Sequence, residues 1–120
     1  MFKSGLTLWY SVADIEETLS FYKDKVGFEE EFFDKENGMG CVRTNTIDSF
    51  IGFSEAEKVI PSTAAAVFEV EDIEVAVKEL KQRGIEFNGE VTTIPGYVKL
   101  ITFKDPDGHD LELSQTLIGT

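Results

Sequence analysis

An internal repeat is the feature of this sequence that most constrains its fold. The segment Val12-Ala13-Asp14-Ile15-Glu16 returns 58 residues later as Val70-Glu71-Asp72-Ile73-Glu74. An apolar-periodic stretch follows each copy and ends in a glycine and an apolar residue, Gly27-Phe28 and then Gly84-Ile85. A repeat near half the chain length indicates two similar supersecondary units placed side by side. Because such a pair forms a cleft, the repeat predicts a place where a small molecule can bind.

The size and charge of the chain limit its class. The 120 residues suit one domain, 1–120, made of modules 1–57 and 62–120. The formal net charge of −12 repels nucleic acids and anionic membranes, so neither is expected as a partner. The same charge would attract a cationic ligand, although an acidic surface also serves solubility alone. No apolar run approaches the roughly 18 residues of a membrane span, and the N-terminal residues show no signal-peptide pattern. Cys41 is the only cysteine, which excludes an intrachain disulfide and fits a cytoplasmic location.

The periodicity of the first module predicts a strand followed by a helix. Residues 6–12 alternate with period two, so Thr7, Trp9 and Ser11 share one face of a strand. The other face carries Leu6, Leu8, Tyr10 and Val12, which we expect to lie against helices. Asp14 is typical of a helix N-cap and Gly27 of a helix end. Ile15, Leu19, Tyr22 and Val26 then form the apolar side of the helix.

Both modules have the same predicted order of strand, helix and three strands. In the first module the last three strands are expected at about 28–34, 40–45 and 49–54. The second module has a strand at 64–70, a helix after Asp72 that ends at Gly84, and strands near 86–94, 97–104 and 109–115. The helix buries Ile73, Ala76, Val77 and Leu80. This order predicts an α+β fold.

The ordered set of motifs resembles the glyoxalase/bleomycin resistance/dioxygenase superfamily, also called vicinal oxygen chelate proteins. The first module carries Val12-Ala13-Asp14-Ile15-Glu16 and the segment Phe21-Tyr22-Lys23-Asp24-Lys25-Val26-Gly27-Phe28. The second carries Phe68-Glu69-Val70-Glu71-Asp72-Ile73 and Lys81-Gln82-Arg83-Gly84-Ile85-Glu86-Phe87. The most specific piece is the closing segment from Phe103 to Leu113. The resemblance spans nearly the whole chain, and it indicates the fold more strongly than the chemistry.

The resemblance implies an architecture and an assembly. It implies two βαβββ modules whose eight strands form a cup-shaped sheet, and a homodimer. Enzymes of the family hold a divalent metal in the cup through His, Gln or Glu side chains from four strands. Carried over, these positions are Thr7, Ala65, Glu112 and a residue of the strand at 49–54, where only Glu55, just beyond, could serve as a substitute.

These positions do not make a recognisable metal site. A catalytic divalent ion generally needs about three protein ligands, and a methyl group at Ala65 cannot coordinate one. Thr7 is a poor neutral ligand, and His109 is the only histidine of the chain. We therefore expect no metal and no other cofactor, with a divalent metal on a remodelled site as the alternative.

The candidate ligand-binding residues come from the expected cup face. Trp9 is the strongest candidate, because its strand face is the polar one. Glu112 has two interpretations: it pairs with a cationic ligand or acts as a catalytic base, or it is a relic satisfied by hydroxyls or water. Glu69 belongs to the same face or to its wet rim. The aromatic residues Phe33, Phe50, Phe53 and Tyr97 are stacking candidates or ordinary core. The predicted ligand-binding set is Thr7, Trp9, Ser11, Phe50, Ala65, Glu69, Tyr97 and Glu112.

Three functions are compatible with this pattern. The first is a metal-independent binding protein that holds a cationic or aromatic molecule such as an antibiotic, as the bleomycin resistance proteins of the family do. The second is an enzyme of the lyase, isomerase or dioxygenase type, which uses Glu112 as its catalytic base or a metal on Glu112 with Glu55 and Glu69. The third is a regulatory module whose dimer surface matters more than its pocket.

Overall fold

The chain folds into two similar units, each built around a four-stranded sheet. A computed structural model describes residues 1–118, so the last two residues of the predicted second module lie outside the described part. The compact units are Met1–Ile60 and a second one that begins at Pro61. The first contains β1 (Leu6–Val12), α1 (Ile15–Ser20), β2 (Glu29–Asp34), β3 (Met39–Arg43) and β4 (Ser49–Glu55). The second contains β5 (Ala66–Glu69), α2 (Ile73–Gln82), β6 (Phe87–Ile94), β7 (Val98–Lys104) and β8 (Asp110–Thr116).

The strand order is the same in both units, which confirms the predicted α+β fold of two βαβββ modules. The eight strands divide into hydrogen-bonded sheets of order β1-β4-β3-β2 and β5-β8-β7-β6. In each sheet the first strand runs parallel to the fourth, and the remaining pairs are antiparallel. Each helix forms the crossover that leads away from the first strand.

Both helices begin as the repeat predicts. Asp14 and Asp72 have the same extended backbone conformation, φ −139° and ψ 106°. The Asp14 carboxylate accepts hydrogen bonds from the backbone N–H groups of Glu16 and Glu17, and the Asp72 carboxylate accepts one from Val75. These bonds satisfy N–H groups that have no partner inside the helix. After Ser20 the first helix widens into a π-helical segment, Phe21–Val26, and ends at Gly27, whose φ of 95° suits glycine.

A second contact at each helix start comes from the last strand of the unit. Oε2 of Glu55 in β4 accepts a hydrogen bond of 2.9 Å from the backbone N–H of Ile15. Oε1 of Gln115 in β8 accepts a bond of the same length from the N–H of Ile73. The two side chains therefore occupy equivalent places in the repeat and attach each helix to its own sheet.

The cores lie between each helix and its sheet. In the first unit Tyr22 packs against Phe53 with 4.9 Å between ring centroids, and both rings are fully buried. In the second unit Phe87 meets Phe103 at 5.4 Å, and Ile73, Val77 and Leu80 of α2 are buried. Phe53 is therefore a core residue and not a stacking candidate.

Two local expectations are wrong. Leu6 is 64% exposed and Leu8 is also exposed, because β1 is an edge strand and the side chains of α1 pack over Gly40 of β3. The strand expected at 64–70 is shorter, because the N–H of Ala64 bonds locally to the Ser62 hydroxyl. Among residues 1–118, no helix combines the length and the hydropathy that crossing a bilayer requires.

Candidate functional site

The first unit presents one sheet face that α1 does not cover, here named open face 1. Thr7, Trp9 and Ser11 of β1 stand beside Phe50, Gly52 and Ser54 of β4, residue for residue. Neighbours in register project to the same side of a sheet, so these positions share one face. Gly40, Phe53 and Tyr10 lie in register on the other side, where a Cβ at Gly40 would meet the side chains of Ile15 and Leu19 in α1. The structure thus brings four predicted ligand-binding residues to open face 1: Thr7, Trp9, Ser11 and Phe50.

The Trp9 indole is held in place on this face while half of it remains exposed. Its Nε1–H donates a 2.8 Å hydrogen bond to the Ser54 hydroxyl. Its six-membered ring lies directly against Gly52, because a Cβ built there would be 2.1 Å from one ring carbon and 2.2 Å from another. The side chain is nevertheless 48% exposed. A fixed and accessible aromatic ring is a surface on which a planar ligand can stack.

An ion pair lies on the same face, and the sequence analysis missed it. Arg43 of β3 stands in register with Phe50, and its guanidinium carbon lies 5.6 Å from the centroid of the Phe50 ring. Nε and Nη2 of Arg43 donate bonds of 3.1 and 2.9 Å to the same oxygen of Glu31, Oε2. The alternation of β3 could have found Arg43, because it places Arg43 on the same face of the strand as Cys41, which lies two residues earlier.

A bulge in β2 decides which phenylalanine reaches open face 1. The register shifts between Glu30 and Phe32, so that Phe32 pairs with Cys41 and Phe33 pairs with Gly40. Gly40 faces α1, which places Phe33 on the helix side and Phe32 on open face 1. Sequence alternation alone selects the wrong one of the two rings.

Cys41 lies beneath this face as a buried thiol. It is 5% exposed. Burial raises the pKa of the Cys41 thiol, and the negative charge of Glu31 raises it further. A thiol with a raised pKa is a poor nucleophile, as expected for a small buried apolar residue.

The second unit has an equivalent face, here named open face 2. Val67 and Glu69 of β5 stand beside Glu112 and Ser114 of β8. Both oxygens of Glu69 are used within the sheet: Oε2 accepts from the Ser114 hydroxyl at 2.9 Å and Oε1 from the Thr116 N–H at 2.8 Å. The hydrogen bonds from Thr116, and then the one from Ser114, hold the pKa of Glu69 below its ordinary value. Glu69 is therefore an exposed carboxylate that already has partners.

Glu112 differs, because its carboxylate has no partner within residues 1–118. It is half-buried between Val67 on one neighbouring strand and Thr102 on the other. No described donor or cation forms a hydrogen bond or ion pair with it. A ligand with a positive charge or an N–H group could make that contact, since a half-buried carboxylate is stabilised by a donor.

Of the other two predicted residues of the second unit, Tyr97 lies away from Glu112 and Ala65 lies just outside the strand β5. Tyr97 is 60% exposed in the turn between β6 and β7, next to the end of β8, where its carbonyl accepts the N–H of Leu117. Glu112 precedes Thr116 by four residues, a distance of about 13 Å along an extended strand. Ala65 is half-buried one residue before β5 begins.

The donors present do not suit a divalent metal. The pairing of Trp9 with Gly52 recurs as that of Val67 with Glu112, so Gly52 is the first-unit counterpart of Glu112. Gly52 has no side chain, and Glu55 contacts the start of α1 instead. His109 is buried, and its Nδ1 accepts the N–H of Ser62. Within residues 1–118 no three His, Cys, Asp or Glu side chains are grouped as metal ligands would be.

Solved structures of other proteins have the same fold. A glyoxalase/bleomycin resistance protein/dioxygenase superfamily member from Sphaerobacter thermophilus is 24% identical, with a TM-score of 0.81 over 96% of this chain and 98% of that one. A glyoxalase/bleomycin resistance protein/dioxygenase from Nocardioides is 20% identical, with a TM-score of 0.79 over 100% of this chain and 87% of the other. TnmS3, an antibiotic binding protein from Streptomyces sp. CB03234, is 20% identical, with a TM-score of 0.78 over 96% and 97%.

The sequence itself matches a family model over most of its length. The comparison with curated proteins gives no significant match. The model of the Glyoxalase/Bleomycin resistance protein/Dioxygenase superfamily matches residues 7–113, which include both copies of the repeat and most of each strand that carries the two open faces. This chain belongs to the Glyoxalase/Bleomycin resistance protein/Dioxygenase superfamily.

Proposed function

We propose that this protein binds a small organic molecule, and that open face 1 contacts an aromatic part of it. The observation that carries the proposal is the Trp9 ring, which is fixed against Gly52 and by the Ser54 hydroxyl yet is half exposed. A ring that is already immobilised loses little conformational entropy when a ligand stacks on it.

Metal independence is part of the proposal. It is supported by the donor set, because Ala65 and Gly52 carry no ligand atom and Glu55 is bound to the N–H of Ile15. Binding by stacking and hydrogen bonding requires no Lewis acid. Elemental analysis of protein purified without chelator should give far less than one divalent ion per chain, and a stoichiometric ion would refute this part of the proposal.

Sequestration of an antibiotic is the form of this function that we favour. TnmS3, which shares the fold, is described as an antibiotic binding protein, and sequestration needs affinity without any catalytic group. The predicted preference for cationic ligands is supported by the net charge of −12 and by the Glu112 carboxylate, which has no partner within residues 1–118.

An enzyme remains the second candidate, and Glu112 is the observation that favours it. A half-buried carboxylate without an internal donor could act as a general base and accept a proton from a bound substrate. The variant Glu112→Gln separates the two roles, because it keeps the shape of the side chain and removes its basicity. Loss of turnover with retained binding would indicate an enzyme, whereas weaker binding of cations only would indicate a binding protein.

A thermal-shift screen tests the binding function directly. A panel of aromatic and cationic antibiotics and metabolites is added to the protein, and a ligand at 100 times its dissociation constant should add about 2.7 kcal/mol of stability. Trp9→Ala should abolish the shift. Tyr97→Ala is the matched control, because Tyr97 is also an exposed aromatic residue but lies outside open face 1. An equal loss in both variants, or none in Trp9→Ala, would contradict the proposal.

Two further expectations accompany this function. A homodimer and a cytoplasmic location both stay predictions. Sedimentation equilibrium at several protein concentrations measures the first, and cell fractionation measures the second.

A further inference from the structure

We propose that Arg43 makes open face 1 a site for planar aromatic carboxylates. This inference rests on the aromatic-binding part of the proposed function, because Trp9 supplies the contact with the aromatic ring, and at open face 1 it replaces the preference for a cationic ligand with a preference for an anionic one. It goes further by assigning a charge and a geometry to the group that the ligand presents beside that ring.

The guanidinium of Arg43 offers a free edge. A guanidinium has a side edge, formed by Nε–H and one N–H of Nη2, and an end edge, formed by one N–H each of Nη1 and Nη2. Glu31 occupies the side edge with the single oxygen Oε2. No acceptor among residues 1–118 contacts Nη1, so the two parallel N–H groups of the end edge are available. Two parallel N–H groups match the two oxygens of a carboxylate.

The guanidinium is also oriented before any ligand arrives. Glu31 holds it through two hydrogen bonds, and the Phe50 ring lies 5.6 Å from its central carbon. The Arg43 side chain is still 49% exposed. Arg43 therefore has both features of a recognition group: its position is set by neighbours, and its unused edge is reachable from solvent.

The spacing on open face 1 fits one molecule on both contacts. The Trp9 ring lies against Gly52, and Arg43 stands in register with Phe50, two residues away along β4. Two residues of a strand span about 7 Å, and Arg43 lies about 5 Å to the side on the neighbouring strand β3. The two positions are therefore about 8 Å apart, which is close to the length of a fused two-ring system with a carboxylate on its edge. A ring stacked on Trp9 would thus direct its carboxylate towards Arg43.

Short-range geometry, and not long-range attraction, supplies the selectivity. The chain carries a net charge of −12, and Glu31 already neutralises Arg43. The overall field of the protein therefore opposes the binding of a carboxylate. The carboxylate gains only from the two hydrogen bonds of the end edge, which lysine cannot reproduce.

Calorimetric titration with three probes of one shape tests the inference. The probes are 2-naphthoate, 2-naphthamide and 2-naphthylmethylammonium. We expect the carboxylate to bind about tenfold more tightly than the amide, as charge-assisted paired hydrogen bonds would give. Arg43→Lys and Arg43→Gln should remove this difference, because they lower the affinity for the carboxylate more than the affinity for the amide. Arg83→Lys is the matched control, because Arg83 is the only other arginine of the sequence and is exposed at the end of α2.

The outcomes separate this inference from the function on which it rests. Equal affinity for the three probes, with binding lost in Trp9→Ala, would overturn the role of Arg43 and leave aromatic binding intact. Tighter binding of the ammonium probe, an undiminished preference in Arg43→Lys, or no binding of the carboxylate by the wild-type protein would each overturn the inference. Circular dichroism of each variant verifies that the fold is retained, and a variant that unfolds is replaced by the other Arg43 variant.

Discussion

The contact between Trp9 and Gly52 gives a prediction whose size can be worked out. In Gly52→Ala the new Cβ would lie 2.1 Å from a ring carbon of Trp9. Carbon atoms pack no closer than about 3.5 Å, so the ring must move by about 1.4 Å, the difference between these distances. Gly52 itself has no positive φ, so alanine is acceptable to the backbone and the effect comes from the ring alone.

The displaced indole cannot keep its hydrogen bond. The bond from Nε1 to the Ser54 hydroxyl is 2.8 Å long, and a shift of this size takes it beyond hydrogen-bonding range. Because the ring is half exposed, it can turn outward and avoid the full cost of overpacking. We therefore expect the loss of one hydrogen bond and some packing, about 1 kcal/mol in the free energy of unfolding, with a melting temperature lower by about 4 °C.

Fluorescence reports the movement without interference, since Trp9 is the only tryptophan. Emission of Gly52→Ala should shift to longer wavelength, and affinity for aromatic ligands should fall. Gly40→Ala is the matched control: Gly40 lies on β3 with its missing Cβ towards the other face, where flexible ends of Leu19 and Ile15 at 3.2 and 3.3 Å can give way. An emission spectrum and a ligand affinity that stay unchanged in Gly52→Ala would refute the reasoning.

Three other predictions concern single side chains. Glu55→Ala and Gln115→Ala should each lower the free energy of unfolding by about 1 kcal/mol, because each leaves a helix N–H without its acceptor; denaturant titration measures this, and a loss in only one of them would contradict their equivalence. The pKa of Glu69 is lower in the folded chain than in the unfolded chain, so the stability that this carboxylate gives the fold is complete above the ordinary pKa of 4.5 and is lost as pH falls through the depressed pKa. The melting temperature of Glu69→Gln should therefore decline less on acidification than that of the wild-type protein, and parallel declines would argue against this role of Glu69. Cys41, buried and with a raised pKa, should react with a thiol reagent only after denaturation, and rapid labelling of the native protein would show that the site is open.

The sequence predicted those parts of the fold that depend on local chemistry. The repeat, the two aspartate caps and the glycine ends set both helices, and period-two alternation set the strands. Alternation failed where a residue interrupts it, because the bulge in β2 exchanges the faces of Phe32 and Phe33. It also left the register of β4 open by a residue or two, since Ser49–Glu55 has apolar residues at adjacent positions. Only the pairing with β1 shows that Gly52 lies under Trp9.

The candidate site was predicted as a set of positions and not as a set of contacts. Trp9 was identified from its polar strand face, which is a local signal. The ion pair of Arg43 and Glu31 was not, because it joins residues on two strands whose relative register depends on the bulge. Exposure of Leu6 was likewise missed, since a single sequence does not show how far a helix extends over an edge strand.

The equivalent contacts of Glu55 and Gln115 show two different residue types in the same role within one chain. One half carries an acid and the other an amide, and both oxygens meet their helix at 2.9 Å. What the junction requires is therefore an oxygen acceptor at a fixed reach, with or without a negative charge. Exchanging the two residue types between the halves should leave both junctions intact, so that the modules are free to diverge in charge while their internal construction stays the same.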